Sequence, residues 1–129
     1  MKLAEALAIV NRARSSERTV RVALACGFTP LHFSTFLGAE IARRSGAAPE
    51  IVPGLFDDLL GTLTGLDAKG LAGVIVALEW SDLDARLGVR GAGGWRSSNR
   101  ADLLASVERR LGALGVFYAF NIRKFTIHI

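Results

Sequence analysis

Two short apolar runs, Val20–Ala25 and Gly73–Leu78, constrain this chain more than anything else in it. Arg21 is the only polar interruption in the first, and the second has none. A strand with one wet face alternates apolar and polar residues, so near-continuous runs of this length predict strands covered on both faces, as in a parallel sheet flanked by helices. Each run ends abruptly in polar or turn-forming residues, Cys26-Gly27-Phe28-Thr29 and Glu79-Trp80-Ser81-Asp82. In open parallel sheets ligands sit beyond the carboxyl ends of strands whose connections leave toward opposite faces. If the two strands are neighbours, these eight residues line one crevice.

The rest of the chain alternates helix and strand. Leu3, Ala6, Leu7 and Val10 recur at helical spacing and predict an amphipathic helix over 3–14, lying against the sheet. Thr29-Pro30 reads as a helix start, with Thr29 as N-cap and Pro30 in the first helical position. Phe33, Phe36, Leu37 and Ile41 form its apolar stripe. Arg43 and Arg44 suit the negative end of its dipole, and Gly46 suits its stop. Glu50–Pro53 predicts a short strand, Gly54 a turn, and Leu55, Phe56, Leu59 and Leu60 a brief helical patch before the central strand at 72–79. Residues 88–96 read as a glycine-rich loop. Ser97-Ser98-Asn99 reads as the cap of a last helix, with Leu103, Leu104, Val107 and Leu111 on one face. Two βαβ units in series imply a three-layer α/β/α fold with a mostly parallel sheet and right-handed crossovers.

Composition changes after Gly115. Residues 116–129 hold the only Tyr and three of the seven Phe. Phe125, Ile127 and Ile129 alternate with polar neighbours, which fits a half-buried strand; a non-native ending fits as well. The expected division is therefore a domain over 1–115, incomplete at its C-terminus, followed by a strand or foreign tail at 116–129.

With 129 residues, half of them apolar, the chain suffices for one compact core. The net charge is +4, but thirteen of the sixteen basic residues are scattered arginines with no aromatic-interleaved stripe, which argues against a nucleic-acid partner. No apolar run approaches the roughly 20 residues needed to cross a bilayer. A single Cys excludes an internal disulfide and fits a reduced, cytoplasmic setting.

The strand-end residues allow several chemistries. Thr29 is either a nucleophile needing a nearby base or a plain cap. Cys26 is a rival nucleophile or a small core residue, with no Lys or His near it in sequence to lower its pKa. His32, three residues beyond Thr29, points to the same crevice or to solvent. Glu79 and Asp82 either bracket the crevice as an acid/base pair or cap the following turn. Trp80 is a flat wall for a ligand or a core plug. The carboxylates of 79–84 lack a fixed metal-ligand spacing, and Gly91-Ala92-Gly93-Gly94 lacks the Lys-Ser/Thr of a phosphate loop, so no metal or cofactor is expected.

Taken in order, Val22–Ala25, Phe28-Thr29-Pro30, Phe33–Ile41, Val52–Phe56 and Val74–Leu83 form a series. Over Val22–Gly94 it resembles the SGNH-hydrolase-like amino-terminal domain of FkbH-like proteins, where that domain precedes a haloacid-dehalogenase (HAD)-type catalytic domain. The resemblance implies an SGNH/flavodoxin-like sheet. Active members of the wider superfamily present Gly-Asp-Ser after the first strand, Gly after the second, Gly-x-Asn-Asp after the third and a late Asp-x-x-His. Here Gly27-Phe28-Thr29 stands at the first block, Gly54 at the second and Glu79-Trp80-Ser81-Asp82 at the third. Thr29 replaces the serine nucleophile, Ser81 replaces the oxyanion-hole asparagine, and Asp-x-x-His is absent from the sequence. One lost oxyanion donor alone costs on the order of 100-fold in rate.

FkbH-like proteins load a glyceryl unit onto an acyl carrier protein. The resemblance therefore implies polyketide-type biosynthesis, with an acyl carrier protein or a HAD-type phosphatase domain as partner. The Asp-x-Asp-x-Thr motif of that phosphatase is absent. The expected function is a non-catalytic accessory domain for binding or docking, its pocket lined by Gly27, Phe28, Gly54, Glu79, Trp80, Ser81 and Asp82. The alternative is a weak esterase or acyltransferase using Thr29 or Cys26, with His32 or Glu79 as base.

Overall fold

The computed structural model describes residues 1–88, 99–121 and 125–128, with side chains as far as residue 115. The chain forms α1 (Leu3–Ala13), β1 (Thr19–Cys26), α2 (Leu31–Ser45), β2 (Ala48–Pro53), α3 (Leu59–Thr64), β3 (Gly73–Ala77), α4 (Trp80–Leu83), a 3-10 turn (Ala85–Leu87), α5 (Arg100–Asn121) and β4 (Phe125–His128). The strand order is β2-β1-β3-β4, and every neighbouring pair is parallel. This is the expected α/β architecture.

The two apolar runs are adjacent strands in register, Ala23 opposite Val74 and Cys26 opposite Ala77. Strand periodicity sends alternate side chains to opposite faces, and both faces are covered. Ala23, Ala25, Val74 and Val76 meet Leu59 and Leu63 of α3 and Leu114 of α5. Leu24, Cys26 and Ala77 meet Phe28, Leu37 of α2 and Ile51 on the other side. Leu24, Leu59, Leu63 and Val76 are the largest fully buried side chains. At about 1.5–3 kcal/mol each, they dominate the hydrophobic term. Alanines at 23 and 25 let α3 approach β1 closely.

Several helix faces differ from those the periodicity predicts. The helix α1 packs chiefly on α2, with a smaller contact to the edge strand β2. Ala6 is fully buried there, while Leu7 stays exposed. Helix α2 ends as expected, Gly46 taking φ 65° and donating its N–H to the Ala42 carbonyl, a left-handed cap that a side chain would strain. Leu55 and Phe56 are not part of a helix: α3 begins only at Leu59, capped by the Asp58 carboxylate on the Gly61 N–H at 2.7 Å. On α5 the inward stripe is Leu103, Val107, Arg110 and Leu114, and Leu104 and Leu111 face outward. Ser97, Ser98 and the glycines at 91–94 lie outside the described residues.

The helix α5 runs through the compositional change at 115–116, and β4 extends the sheet beside β3, Val76 opposite Ile127. Among the described residues no helix is long and apolar enough to cross a membrane.

Candidate site at the carboxyl ends of β1 and β3

The chain leaves β1 toward the α2 layer and leaves β3 toward the layer of α3 and α5. A crevice therefore opens between the carboxyl ends of β1 and β3, as it does at the switch point of any open α/β sheet. Gly27 and Asp82 meet there. A Cβ added to Gly27 would collide with the Asp82 carboxylate, standing 2.8 Å from its Cγ. Only glycine lets these two lips close together.

On the β1 side, the buried Cys26 thiol donates to the Phe28 carbonyl at 3.2 Å, closing a tight turn. Burial pushes its pKa above the ordinary thiol value, outweighing a lowering contribution from the Phe28 backbone, and the Asp82 and Glu79 carboxylates add to the rise. Cys26 is thus held as a thiol, the opposite of what a nucleophile requires.

Thr29 is exposed and does not cap α2. Pro30 occupies the N-cap position instead, at φ −87° and ψ 41°, and its carbonyl accepts the Ser34 N–H at 2.8 Å. Proline's ring fixes φ near the helical value but leaves ψ free. Here ψ turns away from the helix, so the first helical residue is Leu31. Among the described residues the Thr29 hydroxyl has no hydrogen-bond partner, and His32, exposed in the first turn of α2, makes none to Thr29 or Cys26.

On the β3 side, the carboxylates serve the backbone. Asp82 accepts the Glu79 N–H at 2.7 Å, and the Glu79 side chain takes the reciprocal place in a capping box around α4. Ser81 is exposed and holds no side-chain hydrogen bond among the described residues. Trp80 is 63% exposed, so it is not a core plug.

Beside this crevice, at the end of β2, the Gly54 N–H continues the ladder to the Leu24 carbonyl at 2.9 Å. The next residue, Leu55, donates its N–H to the buried Thr62 hydroxyl at 2.7 Å. That bond draws α3 against Gly54, where a Cβ would stand 2.7 Å from Thr62 Oγ1 and 3.0 Å from Thr62 Cβ. A groove of about 430 Å³ opens past this contact, between β2 and the short α3, with Ala23, Val52, Leu66 and Arg21 on its walls. It lies away from Cys26 and Thr29. Arg21 there is paired with Glu50 at 2.9 Å.

One cluster escaped the sequence reading. The Arg86 guanidinium donates twice to Asp84, both bonds at 2.8 Å, and once to Asp102 of α5 at 2.7 Å. Arg110 of α5 donates to the Asp82 carbonyl at 3.1 Å. The Arg86 guanidinium, the Arg86 N–H and Ser106 hold the Asp84 carboxyl far below the usual range, and Asp84 and then Asp102 raise the guanidinium. These bonds fasten α4 and its 3-10 turn to α5. Asp84 and Arg86 stand two apart in sequence, a visible signal; Asp102, sixteen residues on, gives none. Among the described residues no cluster of three His, Cys, Asp or Glu side chains could hold a metal ion.

No protein family, no curated protein and no solved structure matches this chain. The chemistry must be read from the site itself. It offers a protonated thiol, a hydroxyl without a base and carboxylates engaged as caps.

Proposed function

We propose that this chain is a non-catalytic α/β binding or docking domain of SGNH-like plan. In this reading it serves a glyceryl- or acyl-transfer system of polyketide-type biosynthesis in the reduced cytoplasm, with an acyl carrier protein or a HAD-type phosphatase domain as partner. One observation carries the binding part: Gly27 and Asp82 meet at the carboxyl ends of β1 and β3, the place where open α/β sheets bind, while Asp82 itself is committed to the Glu79 N–H. A general base must reach the proton it removes, and the thiol, hydroxyl and imidazole nearby are not hydrogen-bonded to any base among the described residues. The acyl-transfer setting rests on the resemblance over Val22–Gly94.

The test has two arms. Purified protein is expected to turn over p-nitrophenyl acetate and butyrate no faster than the Thr29→Ala and Cys26→Ala variants. Robust turnover abolished by either substitution would make the chain a hydrolase or acyltransferase. Titration of isotope-labelled protein with holo acyl carrier protein is expected to move the amide signals of Gly27, Gly54 and Ser81. Unmoved signals at high micromolar partner would remove the acyl carrier protein from the reading.

A further inference from the structure

The strands are parallel, so everything that follows β1, β2 and β3 leaves from one edge of the sheet. That edge carries the most exposed large apolar side chains of the described molecule: Phe56 at 73%, Leu31 at 72%, Trp80 at 63% and Leu55 at 61%. Interspersed with them are the exposed carboxylates of Asp57, Asp58 and Glu79, none of which forms an ion pair among the described residues. No Lys or Arg occurs in residues 22–42, 45–68 or 70–85. Among the described residues Arg43 and Arg44 bind Glu40 at the far end of α2, Arg86 binds Asp84 and Asp102, and Arg109 and Arg110 stand on the α5 side of Asp82, Arg110 donating to its carbonyl. At the end of β1, Asp82 and Glu79 add to the upward push that burial gives the Cys26 thiol.

We infer that this edge is a docking surface for a basic amphipathic segment of another protein, with apolar anchors seated among Leu31, Leu55, Phe56 and Trp80 and flanking Lys or Arg facing Asp57, Asp58 and Glu79. Large apolar side chains exposed together mark interaction sites, and the sign of the surrounding charge selects the partner. Nucleic acid and anionic bilayers carry the wrong sign. Three strands about 4.8 Å apart place the ends of β2 and β3 about 10 Å from each other. A helix covers that distance in about seven residues at roughly 1.5 Å each, which suits anchors at i, i+3 and i+7. The inference rests on the reading that this end of the sheet binds, and adds the chemistry of what it binds.

The experiment is fluorescence anisotropy of the full chain with a labelled amphipathic peptide of Leu and Lys at helical spacing, alongside its Leu/Glu counterpart. The Lys peptide is expected to bind and the Glu peptide not. Phe56→Ser and Trp80→Ser are each expected to weaken binding about tenfold or more, as loss of a central aromatic anchor does. Asp57→Asn with Glu79→Gln, which keep the turn and the cap, are expected to weaken it about fivefold and to flatten its salt dependence. Thermal melts of each variant separate lost binding from lost folding. Equal binding of both peptides, no binding of either, or indifference to the aromatic substitutions in a folded protein overturns the inference. So does preferential binding to phosphatidylglycerol vesicles, or a dimer that Phe56→Ser dissolves, which makes a second copy the occupant. Acyl carrier protein binding and ester turnover are separate readouts, so the proposed function can fail while this surface stands.

Discussion

Gly54→Ala isolates the contact that sets α3 against the sheet. The added methyl would meet Thr62 at 2.7 Å from Oγ1 and 3.0 Å from Cβ, with Cγ2 nearer still, whereas carbon atoms rest about 3.5–4.0 Å apart. Thr62 cannot swing aside, because it is β-branched, buried in α3 and anchored by the Leu55 N–H. The backbone must move, at about 1–3 kcal/mol for overpacking of this kind. Breaking the Leu55 bond adds about 1 kcal/mol, and the smaller unfolded-state entropy of alanine returns about 0.4–1 kcal/mol. The net expectation is a loss of about 2 kcal/mol. A chain of this length gains roughly 0.27 kcal/mol/K of unfolding entropy near its midpoint, so Tm falls by about 7 °C. Thr62→Ser removes the nearest methyl. In the Gly54→Ala background it is expected to restore about 1 kcal/mol, although alone it destabilises by a similar amount. Urea denaturation of the four proteins in the cycle measures the coupling. Strict additivity, or a Gly54→Ala protein that melts at or above the parent temperature, refutes the steric reasoning.

Two further outcomes follow from ionisable groups. Glu40, between Arg43 and Arg44, has its carboxyl lowered from 4.5 to about 2, foremost by the Arg43 hydrogen bonds, and Asp84 lies well below its ordinary value. A depressed folded-state pKa stabilises above the unfolded value and loses its contribution as pH falls through the folded one, so the urea midpoint is expected to drop from about pH 5 downward. Glu40→Gln with Asp84→Asn flattens that drop; an unchanged slope contradicts the assignment. Cys26 is expected to react slowly with iodoacetamide at neutral pH, its rate still rising above pH 9, and Glu79→Gln moves the profile downward. Rapid labelling at pH 7 would show a thiolate that the buried strand end does not support.

Much of the site was readable because its signals are local. The length and apolarity of Val20–Ala25 and Gly73–Leu78 announce strands buried on both faces, and Gly46 after Arg43-Arg44 announces a helix end. The misplacements share a cause. A stripe such as Leu103, Leu104, Val107 and Leu111 spans more of a helix than any neighbour covers, and the short α3 above β1 and β3 makes Leu103, Val107 and Leu114 the inward set. Leu55 and Phe56 have helical spacing with Leu59 and Leu60, yet the Leu55 N–H belongs to Thr62 and the Asp58 cap starts the helix later.

By itself the sequence determined which segments must be buried strands, where helices stop and which residues stand at the strand ends, since these follow from hydrophobic run length and backbone preference within a few residues. Tertiary structure alone decided that β1 and β3 are neighbours, that Gly27 closes on Asp82 and that Arg86 ties α4 to α5. It also decided that the apolar and acidic residues following three separate strands share one edge. Those relations join residues tens of positions apart, and only the direction and order of strands in the sheet bring them together.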